Sequence, residues 1–187
     1  MQVGWHRESY DLWQQGKRRE AVRVLSGAIR DLSLSRPIGL FLQYAYYCFL
    51  EKNYQDAVKG LKLGLEKFPD HPELTLNLGV CQRRAGQNKD ATETLERYTK
   101  LRPNDPVGFD GLCAAYSYIR NFDGAKNAGE RSLILKDKIV STIDVKPQFQ
   151  YFDVISDKIE KIKVISFSLF GDKSRYLSGS IDNMLAA

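Results

Sequence analysis

The chain has 187 residues, 43% hydrophobic and 27% charged with both signs interspersed, which is far from the composition of a disordered chain and suits one ordinary domain or a domain with part of another. Its net charge of +5 is spread over short groups such as Lys17-Arg18-Arg19 and Arg83-Arg84 with no recognition motif beside them, so no nucleic-acid partner is expected. Nothing approaches the roughly 18 apolar residues of a membrane span, no signal-peptide core follows Met1, and Cys48, Cys81 and Cys113 stand far apart without a CxxC pair. No membrane attachment, disulfide framework or zinc site is expected, and the cytosol is the expected compartment.

Taken in chain order, the first feature is a repeat. Ala57, Ala91 and Ala125 are 34 residues apart, as are Pro69 and Pro103, and Ala21 precedes Ala57 by 36. The first segment presents Trp5, Glu8, Ser9 and Leu12, then Ala21 and Leu25. The second presents Phe41, Tyr44, Ala45 and Cys48, then Ala57, Leu61 and Pro69. The third has Thr75, Leu78, Gly79 and Gln82, then Ala91, Leu95 and Pro103. The fourth has Phe109, Leu112, Cys113 and Tyr116, then Ala125, with Gly129 and Asp137 where a large apolar residue and a proline would complete the pattern.

Each segment predicts two antiparallel helices. Small residues at Ser9, Ala45, Gly79 and Cys113 allow close helix approach, and the alanines do the same for the second helix. The turns fall at Gln15-Gly16-Lys17, Lys52-Asn53-Tyr54, Ala85-Gly86-Gln87 and Arg120-Asn121-Phe122, where Gly and Asn suit the left-handed conformation that ends a helix. Prolines 37, 69, 72, 103 and 106 punctuate the boundaries, because proline breaks a helix interior but fits its first turn.

On these residues, 2–137 resembles four tandem tetratricopeptide repeats, with units two and three nearest the pattern and the outer units weaker. The resemblance implies an all-α helical solenoid of about four helix-turn-helix repeats that binds protein or peptide along its concave face. By helical phase the groove is expected to carry His6, Tyr10 and Trp13 from unit one and Gln43, Tyr46 and Phe49 from unit two. Units three and four are expected to add Asn77, Arg83 and Arg84, then Asp110, Ser117 and Tyr118. Aromatic and arginine side chains are typical interface anchors. The lysine and asparagine pattern with which some repeats of this family clamp a terminal carboxylate is not reproduced.

After Lys138 the period stops, and 138–147 reads as irregular or extended. Phe152, Ile155, Ile159 and Ile162 then form an apolar stripe, so 138–162 is expected to be a linker with an amphipathic helix that caps the solenoid or connects it onward. Residues 163–172 form a β-branched and aromatic run closed by Gly171-Asp172, a predicted strand, and 174–187 reads as a helix. A strand running into a helix is the first half of a βα unit, so 163–187 is expected to be a short β-α fragment of a truncated α/β domain. The run Ile165 to Asp172 with Arg175-Tyr176-Leu177 resembles the opening of a bacterial glycosyltransferase-like domain. That resemblance implies that Ser168, Leu169, Phe170 and Gly171 border a donor nucleotide, and that the repeats recruit protein substrates for such an enzyme.

No catalytic constellation is visible. His6 and His71 have no ligand partners at metal spacing, and neither a phosphate loop nor a nucleophile elbow occurs. These residues are expected to need no cofactor or metal and to have no enzymatic activity of their own.

Overall fold

The computed structural model describes residues 5–31 and 37–141, all within one unit of the chain, Met1–Asp144. Among the described residues are eight helices and no strand: α1 (Arg7–Gln14), α2 (Arg18–Ala28), α3 (Ile38–Leu50), α4 (Tyr54–Lys67), α5 (Pro72–Arg84), α6 (Asn88–Leu101), α7 (Pro106–Tyr118) and α8 (Phe122–Ser141). They pair as antiparallel hairpins in chain order, each packed on the next. The expected strand at 163–172, the helices at 152–162 and 174–187, and Ser168, Leu169, Phe170 and Gly171 all lie outside the described residues.

Local chemistry fixes where each helix starts. Pro72 and Pro106 occupy the first turns of α5 and α7, where a missing N–H costs nothing. Four starts are capped by side chains: His6 accepts from the Ser9 N–H, Asn53 from the Asp56 N–H, Asp105 from the Val107 N–H and Asn121 from the Gly124 N–H.

The helix-to-helix turns fall where expected, but their left-handed residues are Gly16, Lys52, Gly86 and Arg120, with φ of 77°, 59°, 79° and 60°. In units two and four this corrects the assignment of that conformation to asparagine. Asn53 and Asn121 sit one residue later and instead accept a hydrogen bond from the backbone N–H three residues on, at 3.4 and 2.9 Å. The helix-stopping task thus falls to a lysine and an arginine while each asparagine starts the next helix.

The core repeats with the sequence. Ala21, Ala57 and Ala91 are fully buried, as are Leu25, Leu61 and Leu95 four residues after them. Gly79 permits a close approach to this core, since a Cβ there would sit 2.6 Å from Leu95 Cγ. In the fourth unit smaller side chains, Ala125, Ala128 and Ser132, take over this role. Helix α8 runs to Ser141, so 138–141 is helical rather than irregular or extended. Leu135 packs α8 on the stack three residues before that segment, and no Gly or Pro intervenes before Pro147.

The first helices also touch one another: α3 packs on α5, and α5 on α7. Second helices bridge mainly between the first helices of their own and the following unit. The layer formed by α1, α3, α5 and α7 is therefore the tighter, inner one, which in a helical solenoid is the concave side.

Candidate functional site

Helix α3 leaves apolar surface exposed on the inner face. Its sequence, Ile38 to Leu50, contains no charged residue, so burial of most of its circumference is favoured. Leu40, Phe41, Tyr44, Ala45, Tyr47 and Cys48 are covered. Tyr46 and Leu50, one turn apart, are not, and remain 50% and 45% exposed. Both border a cavity of about 470 Å³ between α3 and α5, whose α3 side also includes Phe49 and whose α5 side is Glu73, Asn77, Val80 and Cys81. Trp5 closes one end, its ring 6.0 Å from that of Tyr46. The volume is that of a small-ligand or side-chain pocket, mostly apolar with a few polar groups at the rim. A second, shallower depression of about 560 Å³ lies at the edge of the stack, between Pro72, Tyr98 and the Arg102–Asp105 connection.

The expected groove residues divide into two sets. Tyr46, Asn77 and Phe49 line the cavity, although Phe49 also packs edge-on against Tyr54 at 5.3 Å and the Asn77 amide donates to Glu73 O at 2.8 Å. Arg83, Arg84, Ser117 and Tyr118 lie in the last turns of α5 and α7 on the same layer, with the Arg83 guanidinium 6.0 Å from the centre of the Tyr118 ring. Tyr10 stays near Trp5, with ring centres 6.2 Å apart.

Four residues sit elsewhere. Gln43 is fully buried, correcting its expected place on the groove: its Oε1 accepts from the His6 N–H at 2.6 Å, and its Nε2 donates to Ser9 Oγ at 3.0 Å. An amide is needed there because α1 docks by its polar N-terminal turn. His6 caps α1 through Nδ1 and is thereby tied to structure. Trp13 stacks flat on Tyr47, centres 3.9 Å apart, and packs against the core with Arg18 over its other side, so it serves the α1–α3 junction. Asp110 pairs with Lys136 at 2.7 Å and accepts from Ser132 at 2.6 Å, which turns it toward α8 and away from the groove.

Sequence reasoning missed Trp5, Leu50, Val80 and Cys81. Trp5 occupied the first position of the repeat pattern and was read only as packing. Leu50 and Val80 carried a usable signal, because Leu42, Tyr46 and Leu50, and likewise Glu73, Asn77 and Val80, recur at three- and four-residue steps on one helical face.

The titratable groups here suit non-covalent contact. Burial pushes the Cys81 thiol up to about 12 and the Cys48 thiol to about 11, so both stay protonated and weakly nucleophilic at neutral pH. Among the described residues no group of three or more potential metal ligands comes together, and no helix is long and apolar enough to cross a membrane.

This is the architecture of a repeat solenoid with an open inner face, and the comparisons agree at that level. Residues 49–115 match the tetratricopeptide repeat family model. Solved structures of MamA share the fold. A MamA structure labelled MSR-1 superposes with a TM-score of 0.61 at 18% identity, covering 70% of this chain and 74% of that one. One labelled AMB-1 gives 0.60 at 16%, covering 69% of each chain, and a further MamA crystal structure gives 0.62 at 16%, covering 74% and 75%. No curated protein matches the chain in sequence.

Proposed function

We propose that residues 5–141 are a protein- or peptide-binding scaffold whose ligand lies along the inner face, anchored in the cavity between α3 and α5. The observation that carries this reading is the pair Tyr46 and Leu50: two large apolar side chains left half-exposed beside a cavity, on a helix whose other residues are buried or partly buried. Exposed apolar surface gathered at a concavity marks a docking site. The tetratricopeptide match and the MamA-like fold support a scaffold role, since stacked helical pairs present such a surface by construction. The partner we propose is protein, not nucleic acid or membrane, met in the cytosol and without a cofactor. The reading of 163–187 as the opening of a bacterial glycosyltransferase-like domain rests on its residue pattern alone, the family match ending at residue 115.

The test is selection of a displayed random 12-residue peptide library against the protein and against Tyr46→Asp/Leu50→Asp. Both side chains are half-exposed, so the variant should keep its helix content and melting temperature. Peptides should be enriched on the parent protein and bind the variant at least about tenfold more weakly, the loss typical of a hot-spot anchor. Enrichment indifferent to the two aspartates would place the ligand elsewhere.

A further inference from the structure

The cavity between α3 and α5 explains an apolar anchor but leaves two cations beside it unused. Arg83 and Arg84 close α5, one turn beyond the cavity-lining Val80. Neither forms an ion pair among the described residues, although six such pairs occur elsewhere in the stack. Arg83 lies over the ring of Tyr118, itself 62% exposed on the last turn of α7, and its buried Nε has no hydrogen-bond partner. Basic residues in a last turn also favour the helix dipole. The dipole accounts for positive charge at this end of α5, but not for a guanidinium laid on a neighbouring helix's tyrosine with a buried donor left unbonded. Besides that buried Nε the guanidinium carries four further N–H donors, and a carboxylate pairs with two of them through charge-assisted hydrogen bonds.

Resting on the binding role above, we infer that the ligand is an apolar-acidic peptide segment: one hydrophobic side chain enters the cavity, and an Asp or Glu side chain is held by Arg83 and Arg84 against Tyr118. The groove is polarised to suit. Glu73 stands at the opposite end of α5, ten residues away, or about 15 Å along the helix, so an acidic residue is attracted at one end and repelled at the other. Val80 and Arg84 are four residues apart, about 6 Å along the axis. That distance corresponds to about two residues of extended peptide or about four of helical peptide. A planar guanidinium beside an aromatic ring suits the flat carboxylate fork in a way that a lysine would not.

The experiment selects a random 12-residue library, displayed with its C-terminus fused so that the library offers only side-chain carboxylates, on the parent protein, on Arg83→Gln/Arg84→Gln and on Tyr46→Asp. Circular dichroism melts establish that each variant is folded. On the parent protein, Asp and Glu should rise at least about threefold over the starting pool at about two to four residues from an enriched apolar position. On Arg83→Gln/Arg84→Gln the acidic preference should vanish while the apolar one persists, and synthetic acidic peptides should lose about tenfold in affinity when both arginines are replaced. Raising salt from about 50 to 500 mM should narrow the gap between acidic peptides and their glutamine counterparts. Equal acidic enrichment on the parent and the double glutamine variant overturns the inference. So does a pool indifferent to charge but lost on Tyr46→Asp, an outcome that leaves peptide binding standing. A parent protein that enriches no peptide at all removes both.

Discussion

Lys52 and Arg120 end α3 and α7 at φ of 59° and 60°, in a conformation that crowds the Cβ of any L-residue. At the equivalent position in the other two units stands glycine, Gly16 or Gly86, with nothing within 4 Å of the place where a Cβ would be. Lys52→Gly and Arg120→Gly should therefore each stabilise the stack by about 0.5–1 kcal/mol, seen as a melting temperature a few degrees higher. A fall in melting temperature would mean that the side chains contribute more than the strained backbone costs. The turn positions were legible in the sequence because Gly, Asn and the end of each apolar period coincide there. Which residue takes the left-handed conformation was not, because Asn53 and Asn121 have two competing uses and the helix-start capping bond wins.

Buried titratable groups add a pH dependence at the same scale. Burial raises Cys48 and Cys81 to about 11 and 12 from an ordinary 9.0. Tyr98, through burial and its hydrogen bond to Asp105, and Tyr116, through its hydrogen bond to Glu96 and burial, rise to about 12 from 10.0. Each group has a folded-state pKa above its unfolded value, so its contribution is complete below pH 9 and is lost as pH climbs toward 12. Denaturant unfolding should show a stability plateau up to about pH 9 and a decline above it. A flat profile to pH 11 would contradict the burial assigned to the two thiols.

Among the elements, α1 depends on a single buried amide. Gln43 from α3 satisfies the His6 N–H and Ser9 Oγ at once, with Tyr47 and the stacked Trp13 beside it. Gln43→Ala leaves those groups buried without partners, and should cost about 2–3 kcal/mol in urea unfolding and speed amide exchange in α1 before any other helix. Exchange unchanged in α1 would show that the helix is held by its aromatic contacts alone. Helical phase placed Gln43 and Asp110 on the groove because phase locates a face without saying what covers it. Each has partners on a neighbouring helix 22 to 37 residues distant in sequence, Ser132 and Lys136 for Asp110, and His6 and Ser9 for Gln43. The end of α8 was misplaced for a related reason: the repeat stops at 137, but a helix needs only a packed residue such as Leu135 and no breaker to continue.

At the largest scale, the eight helices in four pairs among the described residues were legible because the 34-residue recurrence of Ala57, Ala91 and Ala125 leaves one way to stack them. The inner layer followed from that stacking. The position of the cavity within the layer did not, because it depends on where the uncharged α3 runs out of neighbours to cover it. The proposed binding role depends above all on the uncovered stretch of α3 facing α5 receiving the ligand. Its most direct test uses the highest-affinity peptide from the selection, with benzoylphenylalanine at its apolar anchor, irradiated in complex with the protein and mapped by mass spectrometry. Crosslinks should fall on Tyr46, Leu50, Asn77 and Val80. Crosslinks concentrated on the outer helices α4 and α6 would contradict the account.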